Sequence, residues 1–426
     1  GVPTLFIFIM LGMLFGSDGI FKIPFGNFAL AEQVCSVALI FIMFYGGFGT
    51  RWSEAKPVAG RSILLSSAGV VLTAFLTGLF CHLVLKMALM EGMLLGAVLG
   101  STDAASVFSI LRSRKLNLKY GTASMLELES GSNDPFAYMM TVILLSAMTG
   151  SGSGVLPWLL WVGRIALSAV AVLLLIRQLA FGLLTGAAVA WLVTWLLKRY
   201  AFYGEGFDTI FVFAAAIISY ALASQIGGNG YLSVYLTGII LGNQELKNQK
   251  ALVGFFDAFT GMMQMLLFFL LGLLAFPSQM PSIVLPAIAI ALFLTFVARP
   301  AAVGLLLAPS KPPIGQYLVI SWAGLRGAAS IVFAIMATLS EGYLKYDIFH
   351  IVFCVVLFSI IFQGSLLPKV AEKCDMIDNS TDVMRTFSDY TGDMQIQFVQ
   401  LPIGDNHPWK NRKICEIEML PGMLIT

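Results

Sequence analysis

The chain has 426 residues, of which 58% are hydrophobic and only 11% charged, with a formal net charge of +2. A soluble domain carries about a quarter charged residues, so a soluble enzyme is excluded. The near-neutral balance, with basic residues in short loops, gives no reason to invoke nucleic acid. With 33 Phe, 20 Met and 41 Gly, the composition is that of an all-α polytopic protein in a lipid bilayer.

The chain opens Gly1-Val2-Pro3, without Met and without the basic n-region of a signal peptide, and enters an apolar run at once. A missing upstream segment is the expectation. A bilayer core needs about 20 apolar residues per helix, and such windows centre near residues 9, 40, 72, 101, 138, 188, 215, 237, 267, 295, 328 and 357. They predict about 12 spans. A further apolar stretch, 155–176, is interrupted by Pro157, Gly163 and Arg164.

Basic clusters in short loops mark the cytoplasmic side. They are Arg51/Lys56/Arg61, Arg112/Arg114/Lys115/Lys119, Lys198/Arg199, Lys247/Lys250, Lys311 and Lys369/Lys373, and they fall at every second loop. This alternation places both the start and the tail inside, and it requires residues 150–198 to cross an odd number of times. The stretch 155–176 is therefore expected to be an interfacial or re-entrant piece.

Two spans are rich in small and polar residues, Gly96 to Asp103 and Ser321 to Gly327, one in each half of the chain. Paired interruptions of this kind point to a transport site, because unwound backbone and half-helix ends can bind ions there. Small residues also serve close helix packing, so the charges decide. Asp103 and Arg326 stand mid-span, and the neighbouring segment reads Glu127-Leu-Glu129-Ser-Gly-Ser-Asn133-Asp134-Pro135. An ionised side chain at bilayer depth costs about 2.5 to 3.5 kcal/mol and normally faces a cavity or a partner.

Glu129 and Asn133 are four residues apart, as are Ser130 and Asp134, so each pair shares a helix face. Pro135 has no N–H, which predicts a freed carbonyl at Gly131 or a simple kink. Arg326 keeps its proton in practice, so its expected job is to hold an acid, and Glu129 is the expected partner because Asp134 must stay free. Proton and cation then compete for Asp134, which is sufficient for exchange.

These residues, Thr102-Asp103, Glu129-Ser130-x-x-Asn133-Asp134 and Gly324-Leu325-Arg326-Gly327, match in order and spacing the motifs of the monovalent cation:proton antiporters. The chain resembles the NhaP and sodium/proton-exchanger branch across residues 1 to about 372. Within that branch the runs Thr102–Arg114 and Tyr120–Phe136 look most like the potassium/proton antiporters of cell-volume regulation. The resemblance implies an inverted-repeat fold with two crossing broken helices, thirteen spans of which the first is missing here, a homodimer and an elevator-like core. It implies that Asp134 binds the ion, that Asp103 and Thr102 line the crossing, that Ser130 adds an oxygen and that Glu129 pairs with Arg326. Asn133 stands where other antiporters of this fold carry a second aspartate, which fits electroneutral exchange of K⁺, and also Na⁺, for H⁺. The Trp-rich run at 155–176 departs from the family pattern.

Residues 1–373 are thus read as a transmembrane antiporter domain and 374–393 as a linker. Beyond it, Met394–Leu401 and Ile414–Leu420 alternate with period two about a polar turn. The stretch 394–426 resembles the start of a cytoplasmic RCK-C (TrkA-C type) domain, a small α/β regulatory fragment whose relatives sense small, nucleotide-type ligands. No cofactor is expected and no metal beyond the transported alkali cation: five scattered cysteines lack CxxC spacing, and no Walker A, HExxH or GxSxG motif occurs. His82 and His350 sit at span ends and His407 in a turn. Two alternatives stay open. An RCK-regulated potassium channel would need a TVGYG-like filter, which is absent, and a sodium-coupled solute symporter of similar fold would need a larger polar cavity.

Overall fold

The protein is described by a computed structural model, which covers residues 4–114, 116–149, 157–199, 206–246, 249–340 and 344–378. In a bilayer every backbone N–H and C=O must be satisfied within the segment, and the described residues are accordingly helical, with one isolated bridge between Leu118 and Ile377. Apart from one turn of helix at Trp52–Ala55, the helices are α1 (Thr4–Phe15), α2 (Phe28–Gly49), α3 (Ala59–Leu83), α4 (Leu89–Val98), α5 (Ala104–Ser113), α6 (Thr122–Thr149) and α7 (Pro157–Arg199). They continue as α8 (Phe207–Gln225), α9 (Gly230–Gly242), α10 (Gln249–Leu274), α11 (Pro277–Ser310), α12 (Ile314–Trp322), α13 (Ala328–Leu339) and α14 (Ile348–Lys373).

Each apolar window of the sequence falls on a helix or on a break between two. Seven helical segments are by themselves long and apolar enough to cross a membrane: α2, α3, Val172–Arg199 of α7, α8, α10, α11 and α14. The others are short, as α1, α4, α9 and α13 are, or, like α6, carry several carboxylates.

Two groups of helices pack within themselves. One contains α1, α2 and α7 to α10; the other contains α3 to α6 and α11 to α14. They meet where α2 touches α13 and α6, and where α9 touches α6. Lipid supplies no hydrophobic drive between helices, so close approach depends on small residues. Between α2 and α9 that role falls to Gly47 and Gly238, where an added Cβ would run into the facing backbone at Tyr235 and Phe44. Phe44, Phe256, Phe333 and Phe349 are fully buried in an apolar core that runs through both groups.

One expectation changes here. The stretch 155–176 is not a re-entrant piece, because from Pro157 onward it is the first half of one continuous 43-residue helix. At 1.5 Å per residue α7 is about 64 Å long, roughly twice the bilayer core. Gly163 and Arg164 are tolerated because neither removes a backbone donor, and Pro157 stands in the first turn, where no intrahelical donor is needed. Most of the linker 374–393 and all of the RCK-C-like stretch 394–426 lie outside the described residues. The part that is described, up to Asp378, is laced to the loop before α6. Lys119 N–H donates to Met376 O, Asp378 N–H donates to Asn117 O, both at 2.9 Å, and Lys119 pairs with Asp375 at 3.0 Å.

Candidate functional site

Two helices are interrupted, α4/α5 over residues 99–103 and α12/α13 over residues 323–327, and the interruptions touch. Asp103 N–H donates to Leu325 O at 2.8 Å, and Arg326 Nη1 donates to Ser101 O at 3.0 Å. Each break thus satisfies a backbone group that the other leaves open, the condition for irregular backbone at membrane depth.

α6 lies across the first break and carries four of the predicted residues. Ser130 Oγ donates to Thr102 O at 2.6 Å. Asn133 grips Thr102 twice, through Nδ2 to Oγ1 at 2.5 Å and by accepting Thr102 N–H on Oδ1 at 3.3 Å. Asp134 accepts a hydrogen bond from the Ser101 hydroxyl. All four α6 side chains, Glu129 included, are buried. Asp134 has no basic partner among the described residues. Helix α6 runs through Pro135 without ending, and Asn229, the N-cap of α9, donates to Pro135 O at 2.9 Å.

Asp103 has a more specific position than the sequence implies. It caps α5, accepting from Ser106 N–H at 3.2 Å and from Ser106 Oγ at 2.5 Å. It also lies against Gly327, the residue before α13, so closely that a side chain at 327 would collide with it. One carboxylate therefore stands between two half-helix N-termini, whose partial positive charges favour it. Arg326 does the converse service at the carbonyl of Ser101, beyond the C-terminal end of α4.

The expected Glu129–Arg326 pair is replaced by another. Glu129 forms a buried ion pair with Arg299, whose Nη2 donates to Oε2 at 2.8 Å while Nη1 lies 2.6 Å from Oε1. Arg299 follows a π-helical turn over Leu294–Ala298 within α11; turns of this kind shift the helix face locally and recur at functional sites. Arg326 belongs to the break itself, where its guanidinium meets backbone and its N–H donates to Ser359 Oγ at 2.9 Å. Ser359 and Gln363 come from a second π-turn, in α14, and Ser359 Oγ donates to Gln363 Oε1 at 2.6 Å. A cavity of about 10 Å³ between Thr295, Arg299, Arg326, Ser359 and Gln363 has room for roughly one water.

Sequence reasoning omits two residues of this site. Arg299 carries a signal, a charge within the apolar window centred near 295. Ser101 carries none beyond membership of a small-residue run, since its contact with Asp134 depends on how α6 crosses the break. Of the predicted set, Thr102, Asp103, Ser130, Asn133, Asp134 and Arg326 converge on the two breaks, and Glu129 beside them is paired with Arg299. Chemically the cluster offers one buried carboxylate without a counter-charge beside hydroxyl and carbonyl oxygens, a donor set suited to a proton or a hard monovalent cation.

The chain is 37% identical over 371 residues to the K⁺/H⁺ antiporter NhaP of Alkalimonas amylolytica, and 36% identical over 375 residues to the K⁺/H⁺ antiporter NhaP2 of Shewanella oneidensis. Each match covers 87% of this chain and 62% of the relative, so the chain spans less than two thirds of those proteins. The structure of the sodium proton antiporter MjNhaP1 from Methanocaldococcus jannaschii has the same fold, with a TM-score of 0.73 at 23% identity over 87% of this chain and 92% of that one. The model of the transmembrane sodium/hydrogen exchanger family matches residues 1–373, and with that match the chain belongs to this family of membrane transporters.

Proposed function

We propose that the protein exchanges K⁺, and also Na⁺, for H⁺ across the cell membrane by alternating access, with proton and cation competing for Asp134. The observation that carries this reading is the state of Asp134: buried, bonded by the Ser101 hydroxyl and lacking a basic partner. A carboxylate so placed holds either a proton or a cation, and the two occupancies exclude each other. Asp103 and Thr102 shape the crossing, and Ser130 adds an oxygen. Glu129 and Arg299 hold α6 on α11, and Arg326 holds the two breaks together.

Asn133 is engaged with Thr102 and adds no charge. One titrating carboxylate supports one-for-one, electroneutral exchange. The proposal includes twelve crossings with start and tail on the cytoplasmic side, which rests on the alternation of basic loops, and assembly as a homodimer. It also includes an RCK-C-like regulatory end at 394–426 that takes a nucleotide-type ligand.

The test is proton movement in everted membrane vesicles with each alkali cation in turn. Adding K⁺ should collapse an imposed pH gradient. Asp134→Asn, which keeps an acceptor for Ser101, should abolish the response; full activity of that variant would sink the assignment.

A further inference from the structure

One buried hydroxyl beside the crossing is unbonded. Tyr235 lies on α9, in the opposite helix group from Asp134, and is only 3% exposed. Its Oη has no hydrogen-bond partner among the described residues. Desolvating a donor without bonding it costs free energy, so such a group in a native protein calls for a water, an ion or a function.

The hydroxyl meets the turn of α6 that carries the site. A Cβ on Gly131 would lie 2.6 Å from Tyr235 Oη and would collide with the ring, so the phenol rests on α6 where a side chain is missing. Ser130 precedes this glycine and Asp134 stands three residues beyond it. Side chains on a helix tilt toward its N-terminus, and Cβ positions three residues apart lie about 5–6 Å from each other. The Asp134 carboxylate thus leans back toward the level of Gly131, and Oη stands off from it by about the gap that one small ion or water bridges. Glu127 and Asp134 are the charged groups that reach the phenol, and the Thr50 and Ser132 hydroxyls flank it without closing a bond to it. Pro135 also denies the Gly131 carbonyl its usual helical donor. This is one of the places where the two helix groups meet, α9 against α6.

We infer that Tyr235 is a cation-contacting residue contributed by the opposite helix group: its Oη supplies an oxygen to the alkali cation held at Asp134. An alkali cation that leaves water needs several oxygens in place of its hydration shell. A proton on the carboxyl is held by one. Losing Oη therefore weakens the cation more than the proton in their competition for Asp134. This inference rests on the reading of Asp134 as the exchange site.

The experiment compares wild type, Tyr235→Phe and Asp134→Asn in everted vesicles at one fixed pH, titrating proton movement with K⁺ and with Na⁺. Thermal unfolding of each protein in detergent, with and without K⁺, is measured beside it. Phenylalanine keeps the ring on Gly131 and removes only Oη. The half-saturating concentration of each cation should rise about tenfold in Tyr235→Phe, with the maximal rate within about twofold. K⁺ should raise the wild-type thermal midpoint by binding the folded state, and the variant should need about tenfold more K⁺ for the same rise. Without K⁺ its midpoint should be no lower than that of wild type, since Oη has no bond to lose. A Tyr235→Phe variant that saturates as wild type does, while Asp134→Asn is silent, overturns this inference and leaves the antiporter reading standing. So does a variant that loses maximal rate with half-saturation unmoved, or one that fails to fold, because the hydroxyl is then structural. A wild type that moves no protons with K⁺ or Na⁺ defeats the antiporter reading, and this inference with it.

Discussion

Two arginines face the crossing, and only Arg299 meets a carboxylate. Truncating it leaves Glu129 buried and unpaired, so Arg299→Ala should cost about 3–5 kcal/mol. Arg326→Ala loses a charge-assisted hydrogen bond to the Ser101 carbonyl, worth about 1.5–3 kcal/mol. Thermal unfolding in detergent, followed by tryptophan fluorescence, should therefore rank Arg299→Ala below Arg326→Ala. The reverse order would restore Arg326 as the partner of Glu129. Removing both charges, Glu129→Gln with Arg299→Gln, should recover part of the loss. The residue types at the site are legible in the sequence, since an acid or a base in an apolar window is conspicuous there. The pairing is not. It is decided by which way each helix is turned, and a π-turn changes that without leaving a pattern in hydropathy.

Helix ends hold the interrupted segments in place. Gly327 has no side chain because Asp103 fills that space between the starts of α5 and α13. Gly327→Ala should force the two breaks apart, and we expect exchange to fall at least about tenfold, the effect of a displacement near 1 Å at a positioned site. Unchanged activity in the vesicle assay would show that the contact is slack. At the start of α14, Asp347 is the N-cap. It accepts from His350 N–H at 3.1 Å and His350 Nδ1 at 2.6 Å, while His350 Nε2 accepts from Phe276 N–H at 3.0 Å. Burial raises the Asp347 carboxyl, but the hydrogen bonds from His350 outweigh it, leaving the group below its usual range. A lowered folded value means that the stabilisation is present above the unfolded value of about 3.9 and is lost as pH falls through the folded one. Asp347→Ala should therefore cost about 1 kcal/mol at neutral pH. The thermal midpoints of variant and wild type should converge as pH falls through the lowered folded value; a gap that persists in acid would mean that the carboxylate is not the cap.

At the scale of the whole molecule, the two helix groups meet along α2, α6, α9 and α13, with Asp134 on α6. If one positive charge crosses in each direction, a membrane potential does no work on the cycle. Each uncompensated charge would couple about 2.3 kcal/mol per 100 mV, roughly a fiftyfold change in equilibrium. Na⁺-driven proton movement in liposomes should therefore stay within about twofold when a potential of about 100 mV is imposed with a lipophilic cation gradient. A larger response would place a second charge in the transport step.

The sequence by itself determined that the chain is a helical membrane protein, where its apolar windows lie, that two of them are interrupted, and which carboxylates stand in them. Those properties are local: a bilayer tolerates only segments that satisfy their own backbone, so apolar length and its interruptions can be counted along the chain. Only the tertiary structure decided that Glu129 pairs with Arg299, that Asp103 serves two helix starts, that Ser101 bonds Asp134, and that residues 157–176 are the first part of the continuous helix α7. Each of the three contacts joins residues distant in sequence or on separate elements, and it follows from helix rotation and close packing. The course of α7 follows from a helix continuing through Gly163 and Arg164, where hydropathy alone suggests an interruption.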